Sequence, residues 1–254
     1  ERKGQRMTLF DALHLTGAQS AALCGAGGKT TLLYALAEQA RQEDRRVLVT
    51  TSTHILLPEE TDTLRFYDSP QPDAFDSICI PGQISVVGTP CGDKKITGIA
   101  PVTVDAAMQA ADLFVYEADG SHRLPLKCHN STEPAIWFGT EAVLCVLGLS
   151  ACGRPAQQVC HRWQLDPLFA AHPDKPIDTD DLVRLALECR AAAGYPHRFS
   201  VCFNQCDTGE QLHFARSAAQ QLAIHGIPCA TSCFSGPVPD IACLLYTSPS
   251  PRDR

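Results

Sequence analysis

Apolar and polar positions along the chain follow two different periods. Short, continuous apolar runs predict buried strands at residues 20–24, 46–50, 84–88, 112–117, 142–148, 198–203 and 227–232. Between them, apolar residues that recur every three or four positions predict amphipathic helices at residues 8–17, 30–45, 101–111, 180–193 and 210–225. Continuous apolar strands that alternate with helices are typical of a parallel sheet covered on both faces. The pattern therefore predicts an α/β fold with a mostly parallel sheet flanked by helices.

The same pattern predicts one α/β domain over residues 7–242. Within it, residues 120–180 are rich in Pro and His and are expected to form an insertion or a cap over the site. Residues 1–6 are polar and predict a disordered extension. Residues 243–254 contain a Ser-Pro-Ser-Pro alternation and resemble a translated sequencing adapter, so they are expected to lie outside the fold and to replace the natural C-terminus near residue 242.

A glycine-rich segment joins the first predicted strand to the second predicted helix. Its residues are Gly25, Ala26, Gly27, Gly28, Lys29, Thr30 and Thr31. In a phosphate-binding loop, glycines let backbone N–H groups surround phosphate oxygens, the lysine reaches the β- and γ-phosphates, and the following hydroxyl ligates Mg²⁺. The spacing is a short GxxGKT form, since Leu23 stands where the standard motif has glycine. The segment predicts binding of ATP or GTP with Mg²⁺ and a P-loop NTPase-like fold, with Lys29 pointing into the loop when no nucleotide is bound.

Two carboxylates end the strand predicted at residues 112–117. A nucleotide site of this kind needs an acid on a neighbouring strand to hold Mg²⁺ or its water. Asp119, which precedes Gly120, is the first candidate, and Glu117 is the alternative. We therefore predict Lys29, Asp119 and Glu117 as catalytic residues and Thr30 and Asp119 as metal ligands. An acidic turn without a metal role is the simpler alternative.

A second polar loop follows the strand at residues 198–203. Its sequence, Asn204-Gln205-Cys206-Asp207, resembles the base-reading NKxD loop of GTP-binding proteins, with Gln205 in place of the lysine. Asn204 and Asp207 are therefore predicted to bind the nucleotide, and the Asp207 carboxylate would accept hydrogen bonds from a guanine edge. The alternative is that Asp207 caps the following helix.

The composition of the chain limits which binding partners and which cellular location we expect. The formal net charge is −7 and Lys and Arg do not cluster, which disfavours nucleic acid. An export signal and an apolar run of ~18 residues are both missing, so a membrane is not expected. The thirteen cysteines do not have the spacing of a disulfide framework and indicate a reducing cytoplasm. A zinc site formed by Cys202, Cys206, Cys229 and Cys233 is conceivable, although free cysteine is often a small buried apolar residue.

Taken in order, these segments resemble the YqeC family. The resemblance runs from about Met7 to Asp240 and rests on GAGGKTTLLYALA, VLVTTSTHI, EADGSHRLPLK, VLGLSACGRP, the pair His161-Arg162 and NQCD. It implies a P-loop protein that binds a nucleoside triphosphate and helps mature the selenium-containing cofactor of molybdenum hydroxylases. The implied partners are a molybdenum hydroxylase or its cofactor, and the implied activity is that of an NTPase or an NTP-dependent transferase.

Two positions depart from the family pattern. His122 stands where the family tends to have lysine, and Thr132 stands where it tends to have histidine before Glu-Pro. Arg123, Lys127 and His129 could compensate.

Two other functions are compatible with the motifs. Mur-type ATP-dependent ligases share the short GKTT loop, although they are longer than this chain, and a small-molecule kinase belongs to the same alternative. A metalloenzyme chaperone gated by a nucleotide that it does not hydrolyse is the third possibility.

Overall fold

A computed structural model of the chain describes residues 7–92, 94–194, 198–234 and 240–244. Its strands, in chain order, are β1 (Ser20–Gly25), β2 (Val47–Thr51), β3 (His54–Leu56), β4 (Leu64–Asp68), β5 (Ile84–Pro90), β6 (Lys95–Thr97), β7 (Leu113–Glu117), β8 (Leu126–Lys127), β9 (Ala142–Gly148), β10 (Cys160–His161), β11 (Arg198–Asn204), β12 (Cys229–Cys233) and β13 (Asp240–Leu244).

The helices connect these strands on both sides of the sheet. They are α1 (Leu9–Ala12), α2 (Lys29–Gln42), α3 (Phe75–Ile78), α4 (Val104–Ala110), α5 (Ala156–Val159), α6 (Pro167–Ala171), α7 (Thr179–Ala193) and α8 (Gly209–Ile224). Helices α7 and α8 begin at side-chain caps, since Asp178 and Thr208 each accept a hydrogen bond from a backbone N–H of the first turn.

The main sheet is mostly parallel. Its described strands follow the order β13–β12–β11–β9–β1–β7–β2–β5–β6–β3. Strand β4 pairs with residues 84–88 of β5, on the side opposite β2. The pairings made by β6 and β13 are antiparallel, and the others in this sheet are parallel. Strands β8 and β10 form a separate small parallel pair. Because β1 lies between β7 and β9, the segments after these three strands meet at the carboxyl edge of the sheet.

The core has one apolar layer on each face of the sheet. Side chains of α1 and α2 pack on one face with Leu23, Val115 and Leu144. Side chains of α4, α7 and α8 pack on the other face with Cys24 and Cys145. The α/β class predicted from the apolar runs is confirmed, since strands β1, β7, β9 and β11 are almost wholly buried.

The structure adds elements that the apolar pattern did not predict. Strand β4 has no fully buried residue and no regular alternation, and β3 and β6 have three residues each, too few to show a period. The helix predicted at residues 8–17 ends at Ala12, and residues 101–103 form a 3-10 turn ahead of α4. These elements lie at an edge of the sheet or at helix ends. Many residues there are exposed or only partly buried, so the sequence shows little apolar periodicity.

The expectation of one insertion at residues 120–180 requires correction. Strand β9 lies within this stretch and pairs with both β1 and β11 near the middle of the main sheet. The segments on either side of β9 supply β8 and β10. The apolar run of β9 needs two covered faces, and the stretch therefore passes through the core.

The described ranges include the first two residues of the predicted C-terminal tail and none of the predicted N-terminal extension. Residues 1–6 and 245–254 lie outside them, so the predicted extension and most of the predicted tail stay predictions. Cys243 and Leu244, assigned to that tail, belong to β13 and pair with β12. None of the helices in the described ranges combines the length and apolarity that a bilayer span requires.

Candidate phosphate-binding site

The loop between β1 and α2 adopts a backbone that only glycine accepts easily. Gly25, Gly27 and Gly28 have φ values of +87°, +90° and +108°. A Cβ on Gly25 would lie 2.3 Å from the carbonyl oxygen of Val146, and one on Gly27 would lie 2.4 Å from Cα of Gly148. The loop therefore turns tightly against β9, and a side chain at either glycine would push it off the sheet.

The loop ends at the N-terminus of α2, which has no side-chain cap. Gly28 occupies the N-cap position and makes no side-chain hydrogen bond to the helix. The first N–H groups of any α-helix have no partner inside the helix, and the helix dipole gives this end partial positive charge. Gly28, Lys29, Thr30 and Thr31 therefore present backbone donors at the position where a phosphate-binding loop needs them.

The ammonium group of Lys29 contacts both the loop backbone and two acids. Its side chain is 97% buried, and its Nζ donates to the carbonyl oxygen of Gly25 at 2.7 Å. The same nitrogen lies 3.1 Å from Oδ1 of Asp119 and 3.9 Å from Oε2 of Glu117. The Lys29 ammonium thus lies between Gly25, the first residue of the loop, and two buried carboxylates that attract it. The expectation that Lys29 points into the loop stays a prediction.

Thr30 lies against Glu117. Its hydroxyl donates a hydrogen bond to Oε1 of Glu117, which links the first turn of α2 to the end of β7. Burial raises the pKa of Glu117, against the opposing effect of the Lys29 charge. The sequence predicted Thr30 and Asp119 as the metal pair, and that pairing stays a prediction, whereas the geometry brings Thr30 next to the alternative acid, Glu117.

Asp119 is fully buried at the centre of the site. Its Oδ2 accepts from the backbone N–H of Gly25 at 2.9 Å and lies 2.7 Å from Nε2 of His129. Lys127 Nζ lies 3.5 Å from the same oxygen. Burial favours the neutral acid, but the His129 hydrogen bond and the charges of Lys29 and Lys127 outweigh it and lower the pKa of Asp119 to about 2. Asp119 is therefore a carboxylate that holds the loop in place.

A polar cluster continues outward from Asp119. Lys127 Nζ donates to the carbonyl oxygen of Gly120 at 2.7 Å and to Oε2 of Glu133 at 2.8 Å, and Arg162 pairs with the same Glu133 oxygen. The predicted compensating residues Lys127 and His129 thus lie at the site. The sequence did not predict the ion pair between Glu133 and Arg162. Both residues lie in segments that belong to the family pattern, residues 132–134 and 161–162, and that pattern was the signal in the sequence that could have indicated a role for them.

The loop after β11 reaches the site through Asn204. Its buried side chain donates to the carbonyl oxygen of Gly27 at 2.7 Å and accepts from the Ser232 hydroxyl at 2.8 Å. Asn204 thus links the glycine-rich loop to β12, a structural role beside its predicted nucleotide contact. The structure brings Asn204 to the loop, whereas Asp207 lies farther along the same edge.

The helix-cap alternative for Asp207 is wrong. Thr208 is the N-cap of α8 and forms a capping box with Gln211. The Asp207 carboxylate instead accepts from Sγ of Cys233 at 3.0 Å, and its backbone N–H donates to Gln211. This arrangement leaves Asp207 at the carboxyl end of β11, and base reading by Asp207 stays a prediction.

The groups at the loop are chemically suited to a phosphate chain with a hard divalent cation. The loop has backbone donors at the uncapped N-terminus of α2, a lysine, and a hydroxyl next to a carboxylate. The four cysteines considered for zinc do not form a cluster of neighbouring sulphurs within the described ranges. The glycine-rich loop and the acids beside it are therefore the candidate site for a phosphate chain and a divalent cation.

The fold and the loop define an α/β protein of the P-loop NTPase-like type. A family model described as "YqeC protein" matches residues 21–164, which include β1, the loop, the Asp119 cluster and β9. The chain is also 32% identical over 202 residues to "Uncharacterized protein YqeC" of Escherichia coli (strain K12), covering 74% of this chain and 79% of that protein. The chain belongs to the YqeC family.

Proposed function

We propose that this protein binds a nucleoside triphosphate with Mg²⁺ at residues 25–31 and uses it in the maturation of selenium-dependent molybdenum hydroxylases. The nucleotide part is supported by one observation above the others. An uncapped helix N-terminus follows three glycines with positive φ, and Lys29, Thr30 and two carboxylates surround it. Backbone donors and positive potential at such a position favour phosphate.

The proposed contacts follow from the positions of these groups. The N–H groups of residues 27–31 would hold the phosphates, since the N–H of Ala26 already donates to the carbonyl oxygen of Val146. Lys29 would exchange part of its contact with Asp119 and Gly25 for a phosphate oxygen. Thr30 and Glu117, or Asp119, would hold Mg²⁺, which supplies neutralisation of phosphate charge. Asn204 keeps the loop closed from the side of β12.

The role in maturation rests on the family resemblance. The outer cluster adds a chemical reason, since Lys127, His129 and Arg162 place cationic or hydrogen-bonding groups beside the loop. Such groups suit an anionic group on a second substrate or on the cofactor of a client enzyme. We also propose a cytoplasmic location, supported by cysteine spacings that do not suit a disulfide framework.

Thermal stabilisation and phosphate release test the proposal together. Mg-ATP or Mg-GTP is expected to raise the melting temperature in a concentration-dependent way, because a ligand that binds only the folded state stabilises it. Phosphate release is then measured with and without a purified molybdenum hydroxylase. Stabilisation with release that the hydroxylase accelerates supports the proposal, and a melting temperature that neither nucleotide changes refutes it.

A small-molecule ligase or kinase is the second candidate. The Lys127–Glu133–Arg162 cluster beside the loop could hold the carboxylate or hydroxyl compound that accepts a phosphoryl group. Such an enzyme would release phosphate or ADP only when a small acceptor is added, without a client protein. A nucleotide-gated chaperone, in contrast, would show stabilisation by nucleotide and a client-dependent change in affinity with negligible release.

A further inference from the structure

Three cysteines that are far apart in the sequence meet beneath the phosphate-binding loop. Cys24 lies in β1, Cys145 in β9 and Cys189 in α7, and each side chain is fully buried. All three Sγ atoms lie within 4.8 Å of one another. The Cys24 and Cys189 sulphurs are only 3.2 Å apart.

The fold explains why these sulphurs converge. Cys24 and Cys145 are register partners on adjacent parallel strands, so their side chains point to the same face of the sheet. That face is covered by α7, and Cys189 belongs to the same apolar layer as both strand cysteines. The sequence separations show no metal-binding spacing, and only the sheet register brings the three thiols together.

The spacing of the sulphurs matches the requirement of a single thiophilic ion. With metal–sulphur bonds of about 2.3 Å, three sulphurs around one ion are separated by about 4 Å. Small rotations of the three side chains would produce this separation from the present arrangement. Apolar packing of a cysteine needs no second sulphur nearby, and another fully buried thiol, Cys202, instead contacts the Ser232 hydroxyl.

We propose that Cys24, Cys145 and Cys189 form a three-thiolate site for a soft d¹⁰ cation of the Cu(I) class. Thiolate ligands select soft ions. Structural zinc sites take four ligands, and no fourth His, Cys, Asp or Glu joins this cluster in the described ranges. Each thiol loses its proton to water as its sulphur bonds the ion, so binding involves no change in oxidation state.

The position of this thiol site connects it to the loop. Cys24 directly precedes Gly25, whose N–H is held by Asp119 and whose carbonyl oxygen accepts from Lys29. The ammonium of Lys29 therefore supplies positive charge on the loop side of the thiolates. An ion bound here would tie the end of β1 to β9 and α7 immediately below the glycines. The inference does not depend on nucleotide binding.

The test uses the full-length protein refolded anaerobically with Cu(I) or Cd(II), since the buried site is most accessible during folding. A competing chelator then removes metal from exposed thiols. We expect one retained equivalent, a sulphur-to-metal charge-transfer band and a higher melting temperature than in the metal-free protein. Cys189→Ala is expected to lower the affinity for the retained ion at least tenfold, whereas the matched variant Cys202→Ala retains it.

A second measurement avoids dependence on the folding of a variant. X-ray absorption of the Cu(I)-loaded parent protein is expected to give a shell of three sulphurs. The proposal is overturned if the parent retains no metal against the chelator, if Cys189→Ala and the parent bind equally, or if the shell contains nitrogen or oxygen. A Cys24–Cys189 disulfide as the only product of aerobic refolding with Cd(II), an ion that does not oxidise thiols, would likewise overturn it.

Discussion

The hydroxyl of Thr30 donates a hydrogen bond to the carboxylate of Glu117, which joins the first turn of α2 to the last residue of β7. These two residues are 87 positions apart in the sequence. Their contact places a hydroxyl and an acid side by side at the edge of the phosphate-binding loop. It also gives Glu117 a different environment from Asp119, which is held by Gly25, His129 and two lysines.

Glu117→Gln is expected to weaken the Mg²⁺-dependent part of nucleotide binding. Gln keeps the size and can still accept from Thr30, but it removes the negative charge that a hard cation prefers. The expected loss is on the order of tenfold, the effect of one charge-assisted contact. Nucleotide affinity is measured at several Mg²⁺ concentrations. Glu43→Gln, an exposed acid that follows the other end of α2, is the matched control. An unchanged Mg²⁺ dependence in Glu117→Gln would remove this residue from the metal site.

Lys29→Met is expected to remove nucleotide-induced stabilisation and also to lower the free energy of unfolding. Phosphate binding loses its cation, and two buried acids lose a neighbour that lies 3.1 and 3.9 Å away. Removing one partner of a buried pair costs about 3 kcal/mol. Denaturant unfolding without nucleotide and thermal shift with Mg-nucleotide measure the two effects separately.

The double variant Lys29→Met/Glu117→Gln serves as the control for stability. It is expected to recover part of the lost unfolding free energy, because one of the unpaired charges is gone, while nucleotide-induced stabilisation stays absent. Stabilisation by Mg-nucleotide that persists in Lys29→Met would contradict the assignment of the loop.

Asp119→Asn is expected to change the acid dependence of stability. The pKa of Asp119 is about 2 in the folded protein against an ordinary value of 3.8. Because the folded pKa is lower, the carboxylate stabilises the native state above about pH 4, and this contribution disappears as the pH falls through about 2. The shift corresponds to about 2 kcal/mol. Denaturant unfolding between pH 2 and pH 7 measures this effect. Asp119→Asn should have a lower free energy of unfolding than the parent at neutral pH, and that free energy should change less with pH below about pH 4.

Glu117 is expected to contribute to stability with the opposite pH dependence, which Glu117→Gln tests in the same experiment. Burial raises the pKa of Glu117, so its contribution to stability is largest at acid pH and is lost as the pH rises through the folded pKa.

We expect Asp119→Asn also to reduce Mg²⁺-dependent turnover more than nucleotide binding. Identical acid profiles for the parent and Asp119→Asn would show that the cationic neighbours do not hold this carboxylate.

Asp207→Asn is expected to shift base preference from guanine towards xanthine. The substitution replaces one acceptor by a donor, and an unmatched group at the base edge costs on the order of 1–3 kcal/mol, roughly ten- to a hundredfold in affinity. Competition binding of ATP, GTP and XTP measures the preference.

Thr208→Ala is the matched control for the Asp207 prediction. Thr208 caps α8 one residue farther along, so its removal is expected to cost about 1 kcal/mol of stability with no change in base preference. A parent protein that prefers ATP, or an Asp207→Asn variant with unaltered preference, eliminates base reading at this position.

The sequence by itself determined the α/β class, the core strands and the glycine-rich loop between β1 and α2. Strand β9 was predicted with its observed bounds, because a strand covered on both faces must be apolar at every position. The loop was equally visible, since glycines, lysine and threonine are adjacent in the chain and their chemistry depends on local backbone geometry. Edge strand β4 was missed because two of its five residues, Arg65 and Asp68, are exposed and the other three are only half-buried, which leaves no clear period.

Tertiary structure alone decided which distant side chains meet. The order β9–β1–β7 sets Glu117 against Thr30, and the register of β1 with β9 aligns Cys24 with Cys145. The direction of Lys29 was likewise decided by two buried carboxylates from β7 and the residues after it. A single sequence records which residues are apolar, glycine or charged, but strand order and register arise from packing of the whole sheet, and these contacts follow from that packing.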